Sequence, residues 1–203
     1  MQARKLQPRL ALPLRPPEHR HRMLKYLVPV GLFAVLVGFL YFGLSSDKQT
    51  LPSPLIGKTA PLFELTRLED PSKTFSNREF AGKPYVLNVW GTWCVGCRQE
   101  HGALLEIARR GDVPIVGLNW NDDRGAALRW LQQLGDPYSV NAFDGEGRIA
   151  IDWGVYGAPE TFLVGADGKV IKKHIAPITV EVWEQEFVPL LKAQAQQGST
   201  ATP

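Results

Sequence analysis

The stretch VLNVWGTWCVGCRQEH, Val86–His101, holds the only two cysteines of a 203-residue chain. They stand three positions apart, where one hydrophobic pattern gives way to another. Before them, PYVLNVWG (84–91) is a continuous apolar run of buried-strand length, bounded by Lys83-Pro84 and Gly91. After them the sequence predicts a helix over Val95–Arg110. Ala103, Leu104, Leu105 and Ile107 are its apolar residues, Arg109 and Arg110 fall in its last turn, and Gly111-Asp112 ends it.

Four chemistries can use such a pair. A structural disulfide between 94 and 97 closes almost no loop and so removes little entropy from the unfolded chain. A zinc half-site needs two further ligands in a paired spacing, and the main domain offers only His101 and His174. Haem attachment needs a histidine directly after the second cysteine, where this chain has Arg98. A redox dithiol needs a thiolate. The unpaired N–H groups and partial positive charge of a helix start favour one at Cys94. Cys97, one turn on and facing the core, then resolves the mixed disulfide. That chemistry requires no metal and no cofactor.

Further along the chain, VPIVGLNW (113–120) reads as a second buried strand. Asp122 or Asp123 then caps a helix carrying Ala127, Leu128, Leu131 and Leu134, which ends at Gly135-Asp136-Pro137. Strand, helix, strand in this order implies a parallel pair with a crossover. ETFLV and VIKKHI flank GADGK, a hairpin signal. PLFELTR and KTFS read as short early strands, and a helix over 180–191 closes the domain. The expected fold class is α/β, a mixed central sheet with helices on both faces.

Charge separates the ends of the chain. Residues 1–46 carry a net charge of +6, which leaves −3 for the remainder. No basic face is implied for the folded part, so nucleic acid is not an expected partner. No charged side chain occurs from Tyr26 to Ser46. This run is long enough to cross a bilayer and exceeds the usual core of a cleaved signal peptide, although Gly43-x-Ser45 fits a cleavage pattern. Arg20, Arg22 and Lys25 before it place the N-terminus in the cytoplasm and the domain outside. The expected organisation is a basic tail (1–25), a transmembrane signal anchor (26–44), a linker (45–60), the catalytic domain (61–192) and a disordered tail (193–203).

With these motifs assembled, VLNVWGTWCVGCRQEH together with WGVYGAPETFLVGADGKV (153–170) resembles the thioredoxin-like family. More narrowly it resembles the membrane-anchored cytochrome c maturation branch, the DsbE type. The resemblance implies a thioredoxin-like fold, a redox-active Cys94–Cys97 disulfide and a cis Ala158-Pro159 peptide. It also implies a substrate groove at Trp93, Tyr156, Ala158 and Pro159, and acids near the site at Glu100 and Glu160. Ordinary thioredoxins carry a buried Asp where this chain has Asn88, so Glu100, Glu160 or both are expected to take over proton transfer. The Val95-Gly96 dipeptide departs from the branch, which more often has Pro-Thr there.

The activity implied is that of a periplasmic reductant held at the bacterial inner membrane. A membrane thiol-transfer protein would be its donor, and apocytochrome c or a haem-ligation partner its acceptor. Competing readings are a general exported thiol reductase, a non-catalytic apocytochrome or haem chaperone, and a peroxiredoxin-like peroxidase. The last needs Thr three residues before its reactive Cys, whereas Thr92 is two before Cys94. An oxidant with a helical insertion does not fit the sixty-one residues between Cys97 and Pro159.

Overall fold

A computed structural model of the chain describes residues 19–44 and 53–199. The chain divides into two units, Met1–Thr50 and Leu51–Pro203. Most of the expected basic tail (1–18), residues 45–52 of the expected linker and residues 200–203 of the expected C-terminal tail lie outside the described residues.

In the first unit, helix α1 (His19–Leu44) begins inside the expected tail and contains Pro29. Arg, Met, Leu and Lys are good helix formers, so the helix propagates backwards from the apolar run. Among the described residues no helix is long and apolar enough to cross a membrane. The α1 side chains described are those of residues 25–41.

The second unit contains, in order, β1 (Glu64–Thr66), β2 (Thr74–Ser76), β3 (Tyr85–Trp90), α2 (Val95–Arg110), β4 (Ile115–Trp120), α3 (Arg124–Leu134), β5 (Val140–Asp144), α4 (Arg148–Asp152), β6 (Glu160–Val164) and β7 (Val170–His174). A closing helical segment, α5 (Val180–Val182), then leads through one π turn at Trp183–Phe187 into α6 (Val188–Ser199). Pro189 accounts for the wide turn. It has no N–H to donate and its ring clashes with the carbonyl four residues back. The Val188 N–H accordingly reaches the Trp183 carbonyl, five residues back.

Strand order in the main sheet is β5-β4-β3-β6-β7. β3, β4 and β5 are parallel, and β6 and β7 are antiparallel to their neighbours. This is the expected mixed sheet, with one addition. VNAFD at 140–144, not among the strands expected from sequence, forms the β5 edge, with Asn141 and Asp144 buried there. The crossovers through α2 and α3 step in the same direction across the sheet. Right-handed connections therefore place both helices on one face. Val86, Ile115 and Leu163 point to that face and pack with Leu104, Ile107, Trp183 and Phe187. Leu87, Val89, Leu118 and Phe162 point to the other, with Phe63, Phe75 and Trp153. The alternation along β3 is the two-residue period of a strand buried on both sides.

The ends of the domain also differ from expectation. Residues 56–60 are not free linker. The Gly57 N–H bonds Val170 O, the Val170 N–H bonds Lys58 O and the Ala60 N–H bonds Gly168 O, at 2.8, 2.9 and 2.8 Å. β7 is an edge strand whose open backbone groups this segment satisfies. At the other end the helix continues to Ser199, through most of the stretch expected as a loose tail.

Gly117 in β4 lies between Asn88 of β3 and Asn141 of β5. A Cβ there would run into Asn141 Oδ1 and come within 2.9 Å of both Trp90 Nε1 and Tyr138 Cγ. Gly117→Ala is expected to destabilise the domain by about 2 kcal/mol through overpacking, measured as a shift in the urea unfolding midpoint.

Candidate active site

The link between β3 and α2 is pinned at each residue. Gly91 has no room for a side chain, since a Cβ would lie 2.6 Å from Trp93 Nε1. Thr92 donates its backbone N–H and its hydroxyl to the Asp122 carboxylate at 2.7 and 2.6 Å, and Asn119 donates to the same carboxylate at 2.9 Å. The Trp93 indole N–H reaches Asn121 O at 3.1 Å while its ring packs edge-on against Trp120.

Cys94 is the N-cap of α2, and the Cys97 N–H donates to its sulfur at 3.0 Å. A serine or threonine oxygen normally holds this position. A sulfur there receives the orphan N–H and the positive end of the helix dipole, which no acid in the first turn opposes. Cys94 and Cys97 form a disulfide. Both are nearly covered, at 4% and 3% exposure, so the expected nucleophile reaches solvent only through a small opening. Trp93 and Val95, on either side of Cys94, and Tyr156, two residues before Ala158, carry exposed side chains. Ala158 packs with the cluster that contains both cysteines, and the Ala158–Pro159 peptide is cis.

Gly96 finds its reason here. A Cβ on it would stand 2.7 Å from Pro159 Cδ and 3.3 Å from Pro177 Cγ. The absent side chain lets the proline loop rest on the first turn of α2.

Glu100 is 1% exposed. One oxygen accepts from the Asn88 amide at 2.9 Å, the other from the Ile178 N–H at 2.8 Å. Burial pushes the carboxyl up to about 7, against the pull of those two donors. Asn88 also donates to Thr161 Oγ1 at 3.1 Å and accepts from the Tyr138 hydroxyl at 2.8 Å. Tyr138 is half-buried, and desolvation with the nearby Glu100 and Asp136 carboxylates raises its own titration well above the ordinary value and keeps it a donor. With the Asn88 oxygen occupied by Tyr138, the amide faces Glu100 with N–H only. Cys97 and Glu100 are three residues apart on α2 and both buried, so they share a helix face.

Glu160 sits at the start of β6 with no exposed surface. It accepts from the Tyr156 N–H at 2.9 Å and pairs with Lys173 Nζ at 3.0 Å. The Lys173 contact is too poorly directed to satisfy Oε2 as a hydrogen bond, so it acts as an ion pair. Burial raises the Glu160 carboxyl, opposed by Tyr156, Lys173 and Gly157. His101 is also buried, its ring edge-on to Trp130 and its Nε2 3.0 Å from Gly135 O.

The sequence-predicted residues thus divide into two groups. Cys94, Cys97 and Glu100 share the first two turns of α2. Tyr156, Ala158, Pro159 and Glu160 form the loop entering β6, with Pro159 against Gly96. Asp122, Tyr138, Ile178 and Lys173 were not legible as site residues, because each reaches the site by a contact more than ten residues away in sequence. Tyr138 had only the turn-like GDPY context, and Lys173 read as a hairpin charge.

A dithiol at a helix start, a cis proline beside it and a mixed sheet behind it define a thioredoxin-like protein thiol–disulfide oxidoreductase. Comparison with known proteins agrees. The Redoxin family model matches residues 55–187. The thiol:disulfide interchange protein DsbE of Allochromatium vinosum is 46% identical over 85% of this chain and 94% of its own length. Its counterpart in Escherichia coli is 38% identical over 85% and 96%. Among solved structures, a putative thiol:disulfide interchange protein DsbE from Chlorobium tepidum is 25% identical with a TM-score of 0.55, covering 69% of this chain and 94% of that one. A secreted thiol-disulfide isomerase from Corynebacterium glutamicum shares the fold at 21% identity and a TM-score of 0.59, covering 66% and 85%. The chain belongs to the Redoxin family, among the thiol:disulfide interchange proteins of the DsbE kind.

Because the folded-state pKa of Glu100 lies above its ordinary 4.5, the native state binds the extra proton between the two values. The stabilisation is therefore present below about pH 4.5 and is lost as pH rises through about 7. Glu100→Gln is expected to remove this dependence. Relative to the variant, the wild type should lose on the order of 2–3 kcal/mol between pH 5 and pH 8, measured by urea unfolding at both pH values.

Proposed function

We propose that this protein is a periplasmic thiol–disulfide reductant of cytochrome c maturation, acting on the Cys-x-x-Cys-His disulfide of apocytochrome c directly or through a haem-ligation partner. The observation that carries the reading is the α2 start. Cys94 caps the helix under the Cys97 N–H, and Glu100 lies buried on the same face as Cys97. Likeness to DsbE proteins over most of their length supports the assignment.

In the reduced protein the Cys94 thiolate attacks one sulfur of the substrate disulfide. A mixed disulfide forms and the substrate's other sulfur leaves. Cys97 gives its proton to the Glu100 carboxylate and attacks the Cys94 sulfur. This closes the Cys94–Cys97 disulfide and releases the substrate as a dithiol. Two electrons pass to the substrate, and Glu100 returns its proton to the departing sulfur or to water. An acid held near 7 is suited to both directions of that transfer. Trp93, Tyr156, Ala158 and Pro159 form the docking edge for the substrate backbone. A membrane thiol-transfer protein then reduces the disulfide again. The uncharged run at 26–44 is the single-pass inner-membrane anchor, with the N-terminus cytoplasmic.

The peroxidase reading is not favoured, since the Thr92 hydroxyl is held by Asp122. Trapping with Cys97→Ala tests the proposal. The variant should accumulate a mixed disulfide through Cys94 with an apocytochrome c or a haem-ligation protein. Capture of many unrelated exported proteins instead would mark a general thiol reductase. Glu100→Gln should slow resolution of a preformed mixed disulfide at pH 7 by about tenfold or more, read by stopped-flow release of the substrate thiol.

A further inference from the structure

Lys173 lies on β7 directly across from Phe162 of β6. Its side chain is 2% exposed, an uncommon state for lysine. The stem passes the Phe162 ring, with the ammonium 5.2 Å from its centroid. The head meets three groups: Glu160 at 3.0 Å, the Gly154 carbonyl at 2.7 Å and the Tyr156 ring at 4.3 Å from its centroid. The last two belong to the loop that leads into the proline, residues 154–159, and Glu160 opens β6 directly after it. Glu160 holds the same loop from the other side, through the Tyr156 N–H.

Packing of Pro159 against Gly96 and of Ala158 against the cysteine cluster fixes the end of that loop. The Gly154 and Val155 N–H groups bond back to Ile151 and Ala150, so they secure only its beginning. Tyr156 itself is 67% exposed, although its N–H and its ring are both held from beneath. An ion pair used only to join β6 to β7 would not need a carbonyl and an aromatic ring of the preceding loop. A buried charge pair is a costly way to hold two strands that already share a ladder.

We propose that Lys173, paired with Glu160, is a positioning residue that fixes the 154–159 loop so that Tyr156 presents its ring to a polypeptide substrate beside the disulfide. The ammonium draws the ring down by its face and holds it there without covering it. The remaining surface of the ring is left for an apolar or aromatic side chain flanking the substrate cysteines. A small disulfide, which needs only access to Cys94, does not use this contact. The proposal rests on the reductant reading above and adds to it a residue that positions the loop for the polypeptide substrate.

The test compares two substrates on the full chain in detergent: a peptide with a Cys-x-x-Cys-His disulfide, and oxidised glutathione. Lys173→Met leaves Glu160 buried without its partner. The double variant Lys173→Met/Glu160→Gln therefore serves beside it and carries the measurement if the single variant does not fold. In the folded variants KM for the peptide should rise at least fivefold while kcat changes less than twofold. The loss of kcat/KM on the peptide should exceed that on glutathione disulfide by at least fivefold. Lys173→Arg, which keeps the charge and a planar group over the ring, should recover most of the peptide KM. Equal losses on both substrates, or no loss on either, overturn the positioning role and leave a strand staple. A wild type that reduces glutathione disulfide but not the peptide overturns the polypeptide reading itself, and the positioning role with it.

Discussion

The side-chain amide of Asn88 joins three parts of the fold within hydrogen-bond distance. From the middle of β3, with no exposed surface, it donates to Glu100 on α2 and Thr161 on β6 and accepts from Tyr138 ahead of β5. Every one of these partners is buried or partly so, and an unmade bond there would leave a polar group stranded in the core. The network therefore fixes how α2 lies on the sheet. Because the cysteines sit at the start of α2, it also fixes where the disulfide stands. Glu100 completes the frame by accepting from Ile178, which ties the segment before α5 to the same point.

From that frame the two sulfurs acquire different surroundings. Cys94 receives the helix-start N–H, whereas Cys97 lies inward beside an acid that burial has made hard to ionise. The proline loop comes from elsewhere in the chain and is brought in by packing: Pro159 against Gly96, and Tyr156 over Lys173. Gly96 departs from the pattern of the branch, and the departure is steric in kind. It lets the proline loop lie close against the helix.

Legibility followed sequence distance. The α2 helix was readable to the residue, because its cap, apolar stripe, basic last turn and Gly111 are all local signals. The β6–β7 hairpin was readable from Asp167-Gly168 for the same reason. Strand β5 was not, since its partner β4 supplies the pairing and its own residues are mixed. The expected linker at 56–60 proved to be bound backbone, because nothing in IGKTA shows that an edge strand lies nearby to receive it. Asp122, Tyr138 and Lys173 are ordinary polar residues in sequence and became site residues only through neighbours from distant segments.

The sequence alone determined the reaction type. Two cysteines at a strand-to-helix junction, with Arg98 in place of a haem-ligating histidine and no paired zinc ligands, leave thiol chemistry as the economical reading. Local rules of capping and periodicity suffice for that. Tertiary structure decided which groups surround the sulfurs. It separated Glu100, on the face of α2 that carries Cys97 and pushed up to about 7, from Glu160, paired with Lys173 at the proline loop. Both are glutamates near the motifs in sequence. They differ because desolvation and ion pairing depend on which distant residues fold against them.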